Sequence, residues 1–340
     1  MPEPGLECTE LQARGTRKLN GSTDTDDPTS STGQSSLPPT SLILCSRNRP
    51  ELLTDLVESI LQGEEVPTEL LIIDDSDDCH EDLSRLRTPR PCEIRYRWNR
   101  SRGLGRANNT GLAEARYDLI VFTQDDVLVS PTWFGVLVRR LIESGPGAVV
   151  TGRILSGEAE VETGFAPSTE ESEELRVFEG RIGQDVLFLQ NFACYQSQCT
   201  EIGGFDPWLG PGTPFPSAED NEFGYRLLKA GYRIVYEPRA VTTHRAWRSQ
   251  EDQISLNWNY GRGQGGFFGK HLSLLNPYIL GRLLKGVGYM GARACVRVWY
   301  RPRRAAYDVV YVAGLLSGSL DWLVRRRLFP GLMEGEKDSS

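Results

Sequence analysis

The sequence lacks several patterns that define common protein classes. No GxGxxG follows the first predicted strand, which argues against a dinucleotide dehydrogenase. The seven cysteines form no CxxC pair and no Cys/His zinc spacing. Their odd, scattered distribution favours a reducing compartment, and we therefore predict a cytoplasmic protein.

Long apolar runs are also scarce. No apolar core follows a basic start, so we expect no secretory signal. The best transmembrane candidate, residues 305–324, contains Asp308, Asp321 and two glycines. Charged residues are costly inside a bilayer, so a full span is possible but not favoured.

Charge is distributed unevenly along the chain. The net charge is −8, yet residues 277–330 hold ten Arg and Lys against two Asp, a local +8 that leaves −16 on the remainder. The acidic body argues against nucleic acid as a partner. The basic, apolar segment predicts contact with an anionic membrane surface, and packing on the catalytic domain or on a second subunit is the alternative.

Length and composition predict one large domain with appendages. The chain has 340 residues, of which 39% are hydrophobic. Residues 1–38 are rich in small polar residues and predict a disordered segment. We expect a catalytic α/β domain at 39–272, a basic, apolar helical extension at 273–330 and a disordered tail at 331–340.

Apolar runs alternate with helical patterns and predict an α/β fold with a mostly parallel central sheet. The middle, 156–181, is acidic and weakly periodic, and predicts surface loops or a hairpin. After residue 258 comes a glycine-rich stretch, 260–266, which helical segments follow. Strands are predicted at 41–45, 70–73, 94–96, 119–123, 186–194 and 232–236, and helices from Pro50, at 105–116, after Ser130-Pro131 and at 218–230.

Paired carboxylates follow one of these strands, in Gln124-Asp125-Asp126. The carboxyl edge of an open α/β sheet is where ligands bind. Carboxylates on a loop there form a hard oxygen site for Mn²⁺ or Mg²⁺, which would hold a substrate diphosphate. The alternative is a cap for the helix after Ser130-Pro131.

Polar residues follow other strands of the predicted sheet. Asp74 and Asp75 could accept hydrogen bonds from a base and ribose, or form a turn or cap. The glycines between Arg102 and Arg106 precede a helix whose N-terminus favours phosphate, although an ordinary turn is equally consistent. His244 follows a later apolar run, and an imidazole beside a metal-bound carboxylate is chemically sensible, whereas a lone histidine is more often structural.

A cluster of acids opens the helix predicted from Ala218. A general base needs one carboxylate facing the acceptor hydroxyl, and the sequence Glu219-Asp220 offers two. The alternative is purely structural, because Ser217 is a plausible N-cap and acids in the first turn complement the helix dipole.

The order of these motifs resembles a family 2 glycosyltransferase of GT-A fold. The resemblance covers about residues 40–270 and rests on seven motifs in the family's order. They are SLILCSRNRPELL at 41–53, ELLIIDDSDD at 69–78, NRSRGLGRANNTGLAEA at 99–115, DLIVFTQDDVLVSPTWF at 118–134, IGGFDPW at 202–208, EDNEFGYRLLKAGYRIVYEP at 219–238, and His244.

The resemblance implies inverting transfer of one sugar from a UDP-, GDP- or dTDP-sugar to a saccharide or lipid-linked acceptor, in envelope polysaccharide or glycolipid assembly. It implies Asp220 as catalytic base, and a Mn²⁺ or Mg²⁺ site at Asp126 and His244. The donor nucleotide would contact Cys45, Ser46, Arg47, Asp74, Asp75, Arg102, Arg106 and Asp125. The sugar and acceptor would contact Gly203, Gly204, Phe205, Asp206, Trp208 and Glu219.

The chain departs from the family pattern at several positions. Gln124 replaces the first acid of the DxD motif, the ArN segment reads Ala107-Asn108-Asn109, so a usual arginine is missing, and Arg47 stands where an aromatic is frequent. The QxxRW signature of processive polymerases is absent, which favours transfer of single sugars. Two alternatives stay open, a degenerate protein that only binds sugar nucleotides and, less favoured, a sugar nucleotidyltransferase.

Overall fold

The computed structural model describes residues 37–85, 87–158, 168–245, 248–249, 251–273 and 277–329. The described residues from Pro38 onward form one compact unit. The predicted disordered segments at the two ends lie outside the described residues, apart from positions 37 and 38.

The first half of the unit is the predicted parallel α/β arrangement. Four strands pair in parallel in the order β3-β2-β1-β4. Strands β1 and β2 are buried along their whole length, as continuous apolar runs between two helical layers should be. The elements are β1 Thr40–Ser46, α1 Pro50–Leu61, β2 Glu69–Asp74, α2 Glu81–Ser84, β3 Glu93–Trp98, α3 Leu104–Glu114 and β4 Leu119–Gln124.

The second half of the sheet is mixed and less parallel than predicted. Strand β8 pairs antiparallel with both β4 and β6, and β9 pairs parallel with β6 and antiparallel with β5 and β7. The elements are β5 Val127–Val129, α4 Trp133–Ser144, β6 Ala148–Ser156, β7 Arg176–Phe178, β8 Phe192–Tyr195, α5 Gln196–Glu201, α6 Glu219–Ala230 and β9 Arg233–His244.

Two local predictions in this half were wrong. The strand predicted at 186–194 begins only at Phe192, because a turn of 3-10 helix occupies Leu189–Asn191. Ser217 does not cap α6, since Ala218 occupies the cap position in the left-handed region at φ 69°. Gly231 ends this helix in the left-handed conformation, as predicted.

Three helices complete the described chain: α7 Gln253–His271, α8 Pro277–Arg297 and α9 Pro302–Leu328. The glycine-rich stretch 260–266 lies within α7 rather than before the helical region. A Cβ added at Gly261 or Gly265 would collide with the backbone of α9. The glycines therefore allow two helix backbones to approach closely, which the sequence analysis did not recognise.

Two hydrophobic clusters among the described residues bear on the packing of the sheet and of the C-terminal helices. One lies between the sheet and its helices and includes Phe122, Phe192 and Phe223. The other joins Trp208 and Phe215 of the sheet domain to Phe267, Leu315 and Trp322 of the C-terminal helices. The C-terminal helices thus share a core with the sheet domain, and the predicted boundary at 272–273 stays a prediction. Among the described helices, none is long and apolar enough to cross a bilayer.

Candidate functional site

A cavity of about 860 Å³ opens at the carboxyl edge of the parallel strands. Strands β1 and β4, the N-terminus of α6 and the end of β9 all contribute to its wall. Nine of the predicted site residues meet there. They are Cys45, Ser46, Arg47, Asp75, Asp125, Asp126, Glu219, Asp220 and His244.

The paired acids after β4 form an ionic cluster with an arginine. The Arg49 Nη1 atom lies 3.1 Å from Asp125 Oδ1 and 3.1 Å from Asp126 Oδ2. Ser46 Oγ donates a hydrogen bond of 2.7 Å to Asp125 Oδ2. Burial and the charge of Asp126 raise the pKa of Asp125, although Arg49 and Ser46 oppose the shift. Asp125 is thus occupied by protein partners.

Asp126 faces His244 across the end of the sheet. Strand β5 begins directly after Asp126, and its Val127 pairs with His244 of β9, which brings the two side chains together. His244 Nε2 lies 3.7 Å from Asp126 Oδ1, a buried oxygen that has no hydrogen-bond partner among the residues that the structure describes. Burial alone would raise the pKa of Asp126, but His244, Arg49 and Arg248 stabilise its charged form and bring the pKa below the ordinary value.

Asp126 and His244 are suited to a metal ion that takes only some of its ligands from the protein. In the part of the chain that the structure describes, no three His, Cys, Asp or Glu side chains gather into a metal site. The protein would therefore provide Asp126 Oδ1 and His244, and substrate phosphates and water would complete the shell, as is usual for Mg²⁺ at nucleotide sites. The unpartnered buried oxygen is the observation that supports this fit.

Two acids with separated pKa values begin α6. Burial and the charge of Asp220 raise the pKa of Glu219 to about 8. Burial, with the charge of Asp185, raises the pKa of Asp220 to about 6, while backbone N–H groups at Asn221 and Leu189 oppose the shift. At neutral pH Asp220 is therefore ionised and able to accept a proton, whereas Glu219 keeps its own.

Asp75 shapes the loop before α3. Its two carboxylate oxygens each accept a 2.9 Å hydrogen bond, one from the N–H of Arg102 and one from the N–H of Gly103. Both loop residues have positive φ, 53° and 131°. The Asp75 carboxylate thus holds a strained turn at the edge of the cavity. The side chain of Arg102 is 73% exposed and points away from the cavity, towards Asp77.

Eight predicted site residues do not line the cavity. Asp74 is fully buried and accepts hydrogen bonds from Tyr96 and Ser76, so its carboxylate is bonded within the protein and does not face the cavity. Asp206 contacts Lys270 Nζ at 2.5 Å, and the Phe205 ring stacks on a core phenylalanine. The full set is Asp74, Arg102, Arg106, Gly203, Gly204, Phe205, Asp206 and Trp208.

The sequence analysis missed residues on both sides of the cavity. Arg49 lies within a motif already singled out, and its position after β1 could have indicated contact with the acids after β4. No sequence signal marked the wall formed by Asp185 and the C-terminal helices. That wall is formed by Asp185, Tyr260, Gln264, Arg282, Lys285, Tyr289 and Tyr311.

Hydrogen bonds connect this wall to α6. Gln264 Nε2 donates to Asp185 Oδ2 at 3.1 Å, and Asn221 Nδ2 donates to Gln264 Oε1 at 2.9 Å. Arg282 Nη2 donates to Asp185 Oδ1 at 2.8 Å. The helical extension is therefore part of the site rather than an appendage to it.

The structure has a GT-A type of α/β fold. Its features are a partly parallel sheet, paired acids after the fourth strand, an imidazole opposite those acids, and two neighbouring carboxylic acids in the first turn of a helix. Solved structures of this fold are similar to the chain. The mannosyltransferase PcManGT from Pyrobaculum calidifontis, in complex with GDP-Man and Mn²⁺, has a TM-score of 0.53 at 15% identity and covers 84% of this chain and 88% of that chain. S. aureus TarS 1-349 has a TM-score of 0.50 at 13% identity, covering 85% and 91%.

Sequence comparisons match part of the chain to a known family. Residues 41–199 match the sequence model of Glycosyl transferase family 2. Pre-mycofactocin glycosyltransferases from two Mycobacterium tuberculosis strains are 28% identical over 185 residues, which are 53% of this chain and 38% of the length of those relatives. Residues 41–199 of the chain thus match glycosyltransferase family 2, and the predicted family resemblance and GT-A fold are confirmed at that level.

Proposed function

We propose that the chain transfers a single sugar, with inversion, from a UDP-, GDP- or dTDP-sugar to an acceptor hydroxyl in envelope polysaccharide or glycolipid assembly. The supporting observation is that Asp126 and Asp220 line the same cavity. The fold neighbour PcManGT was solved with a nucleotide sugar and Mn²⁺, which supports this donor class.

The donor end of the cavity lies along β1 and β4. Ser46, Asp75 and the backbone around Gly103 form its wall, and we assign them to the nucleotide. Asp126 and His244 would hold Mn²⁺ or Mg²⁺, and such an ion would supply positive charge beside the departing diphosphate. Arg49 adds a protein cation next to the same carboxylates.

Asp220 is the proposed general base. Its carboxylate removes the proton of the acceptor hydroxyl while that oxygen attacks the face of the anomeric carbon opposite the leaving group. One base and in-line attack give inversion. Glu219, protonated at neutral pH, could donate a hydrogen bond beside it.

The acceptor end is the wall contributed by Asp185 and the C-terminal helices. Its polar and aromatic side chains, among them Gln264, Tyr260 and Tyr289, suit a hydroxyl-rich saccharide. Contact with an anionic membrane concerns a different face, the outer surface of the C-terminal helices.

A degenerate sugar-nucleotide-binding protein is the second candidate. Gln124 replaces an acid, and Arg49 already neutralises part of the charge of Asp125 and Asp126. Measurable donor hydrolysis without acceptor would count against this alternative.

Replacing the base tests the proposal. In Asp220→Asn we expect turnover to fall at least ~10²-fold, a typical general-base contribution, with donor affinity retained. Glu171→Gln, an exposed change outside the cavity, is the control. Nuclear magnetic resonance of the product should show the anomeric configuration opposite to that of the donor. Near-normal turnover of Asp220→Asn, or a retained configuration, would contradict the mechanism.

A further inference from the structure

The outer surface of the α8–α9 hairpin is apolar and has no covering element among the described residues. Helix α9 buries one side, with Gly314, Leu315, Gly318 and Trp322 directed towards α7 and the second core cluster. Its other side carries apolar side chains at helical spacing. These exposed residues are Val309, Leu316, Leu320, Leu323, Val324 and Leu328.

The turn between the two helices adds aromatic residues. Trp299 is 87% exposed and Tyr300 is 61% exposed, and both follow the exposed Val296 and Val298. An exposed tryptophan next to a tyrosine is unusual on a free surface, because such rings lose favourable burial. Trp and Tyr are enriched where an apolar phase meets water. We call residues 296–328, from this turn to the end of α9, the hairpin surface.

The exposed charged side chains of the hairpin are almost all positive. Asp308 is buried against Arg293 and Arg297, and Asp321 pairs with Arg262 and Arg325. The two acids are therefore neutralised within the protein. Exposed arginines stand at both ends of α9, at Arg301, Arg303, Arg304, Arg326 and Arg327.

We propose that the hairpin surface docks the protein on an anionic lipid bilayer, with α9 lying in the plane of the interface. A helix of 27 residues is about 40 Å long, and arginines at its two ends can reach headgroups on either side of the apolar stripe. Apolar burial and attraction to anionic lipid act together in such helices. The proposed surface lies on α9 and the turn before it, because Trp299 and the stripe of α9 face outward, whereas Leu283 of α8 packs inward.

A second copy of the chain fits this surface less well. A two-fold dimer apposes the same patch from both copies. Contact through the hairpin surface would bring the arginine clusters of two copies together, and no exposed acid among the described residues of that surface is present to pair them. A bilayer presents an apolar interior and negative headgroups, which match both features of the surface.

Co-sedimentation of the full chain with vesicles tests the docking independently of transfer activity. We expect binding to phosphatidylcholine vesicles containing phosphatidylglycerol, weaker binding to pure phosphatidylcholine, and release at high salt. Trp299→Ser with Tyr300→Ser, and separately Arg301→Gln with Arg303→Gln and Arg304→Gln, should each weaken partition roughly tenfold or more. Leu175→Ser with Val177→Ser, exposed apolar residues elsewhere, should bind as the native chain does.

Circular dichroism and light scattering accompany each variant, so that misfolding and self-association are measured directly. The proposal is overturned if the native chain does not sediment with anionic vesicles, or if both hairpin variants bind unchanged. It is also overturned if the native chain is a dimer that the Trp299 variant makes monomeric and vesicle binding is absent.

Discussion

Asp220 shows how burial prepares a carboxylate for proton transfer. Its pKa of about 6 results first from burial and then from the charge of Asp185, which lies in the same cavity. A base with this pKa is ionised at neutral pH yet still binds a proton well when the acceptor oxygen attacks. The neighbouring Glu219, with a pKa of about 8, remains protonated under the same conditions.

The pH profile follows from this pKa. Only ionised Asp220 accepts a proton, so kcat/KM should rise with pH through about 6 and level off above it. The Asp185 charge raises that pKa, so Asp185→Asn should lower it and move the acidic limb of the profile to lower pH. Glu171→Gln should leave the limb in place. An unmoved limb in Asp185→Asn would show that another group controls it.

Individual residues show which parts of the site could be predicted from the sequence and which could not. Asp126, His244 and Asp220 could be placed at one site because each occupies a motif position at a strand or helix end. Asp74 stands next to Asp75 in the sequence, but residues in a strand alternate between faces, and Asp74 is buried against Tyr96. Neither Asp185 nor Tyr289 belongs to a motif, and only tertiary packing brings them to the cavity.

At the scale of elements, the contact between α7 and α9 is the main departure from expectation. Gly261, Gly265 and Gly269 recur every four residues on α7, and opposite them α9 presents Gly314 and Gly318. Glycines weaken an isolated helix, and the sequence analysis placed the helical segments only after this stretch. Packing overrides that propensity. Without side chains at these positions the two helix backbones approach more closely, and the close approach buries more surface.

A pair of matched substitutions tests this packing. A Cβ at Gly265 would lie 2.8 Å from the Ser319 backbone nitrogen, so Gly265→Ala should lower the free energy of unfolding by about 1–3 kcal/mol. At Gly288 of α8 an added Cβ has no atom within 4 Å, and Gly288→Ala should raise it by about 0.5–1 kcal/mol. Urea unfolding measures both changes, and equal effects would refute the close-packing account.

At the scale of the whole molecule, the cavity depends on parts that are far apart in the sequence. The parallel strands, their order and the polar strand ends could be predicted, because buried parallel strands leave continuous apolar runs. The antiparallel insertion of β8 between β4 and β6 could not, since strand order in a mixed sheet is decided by packing over long sequence separations. The acceptor wall depends on the same long-range packing.

A site assembled from distant parts couples ligand binding to the stability of the fold. A nucleotide diphosphate that binds only the folded chain raises the free energy of unfolding, by ~2.7 kcal/mol at a concentration one hundred times its Kd. If Asp126 holds a divalent ion against the diphosphate, the increase in Tm on adding UDP, GDP or dTDP should be larger with Mn²⁺ than with EDTA.

In Asp126→Asn the nucleotide should still raise Tm, but the additional effect of Mn²⁺ should disappear. Asp77→Asn, an exposed acid outside the cavity wall, should respond as the native chain does. A full Mn²⁺ effect in Asp126→Asn would remove that residue from the metal site, and an equal nucleotide effect in chelator would leave Arg49 as the cation that faces the diphosphate.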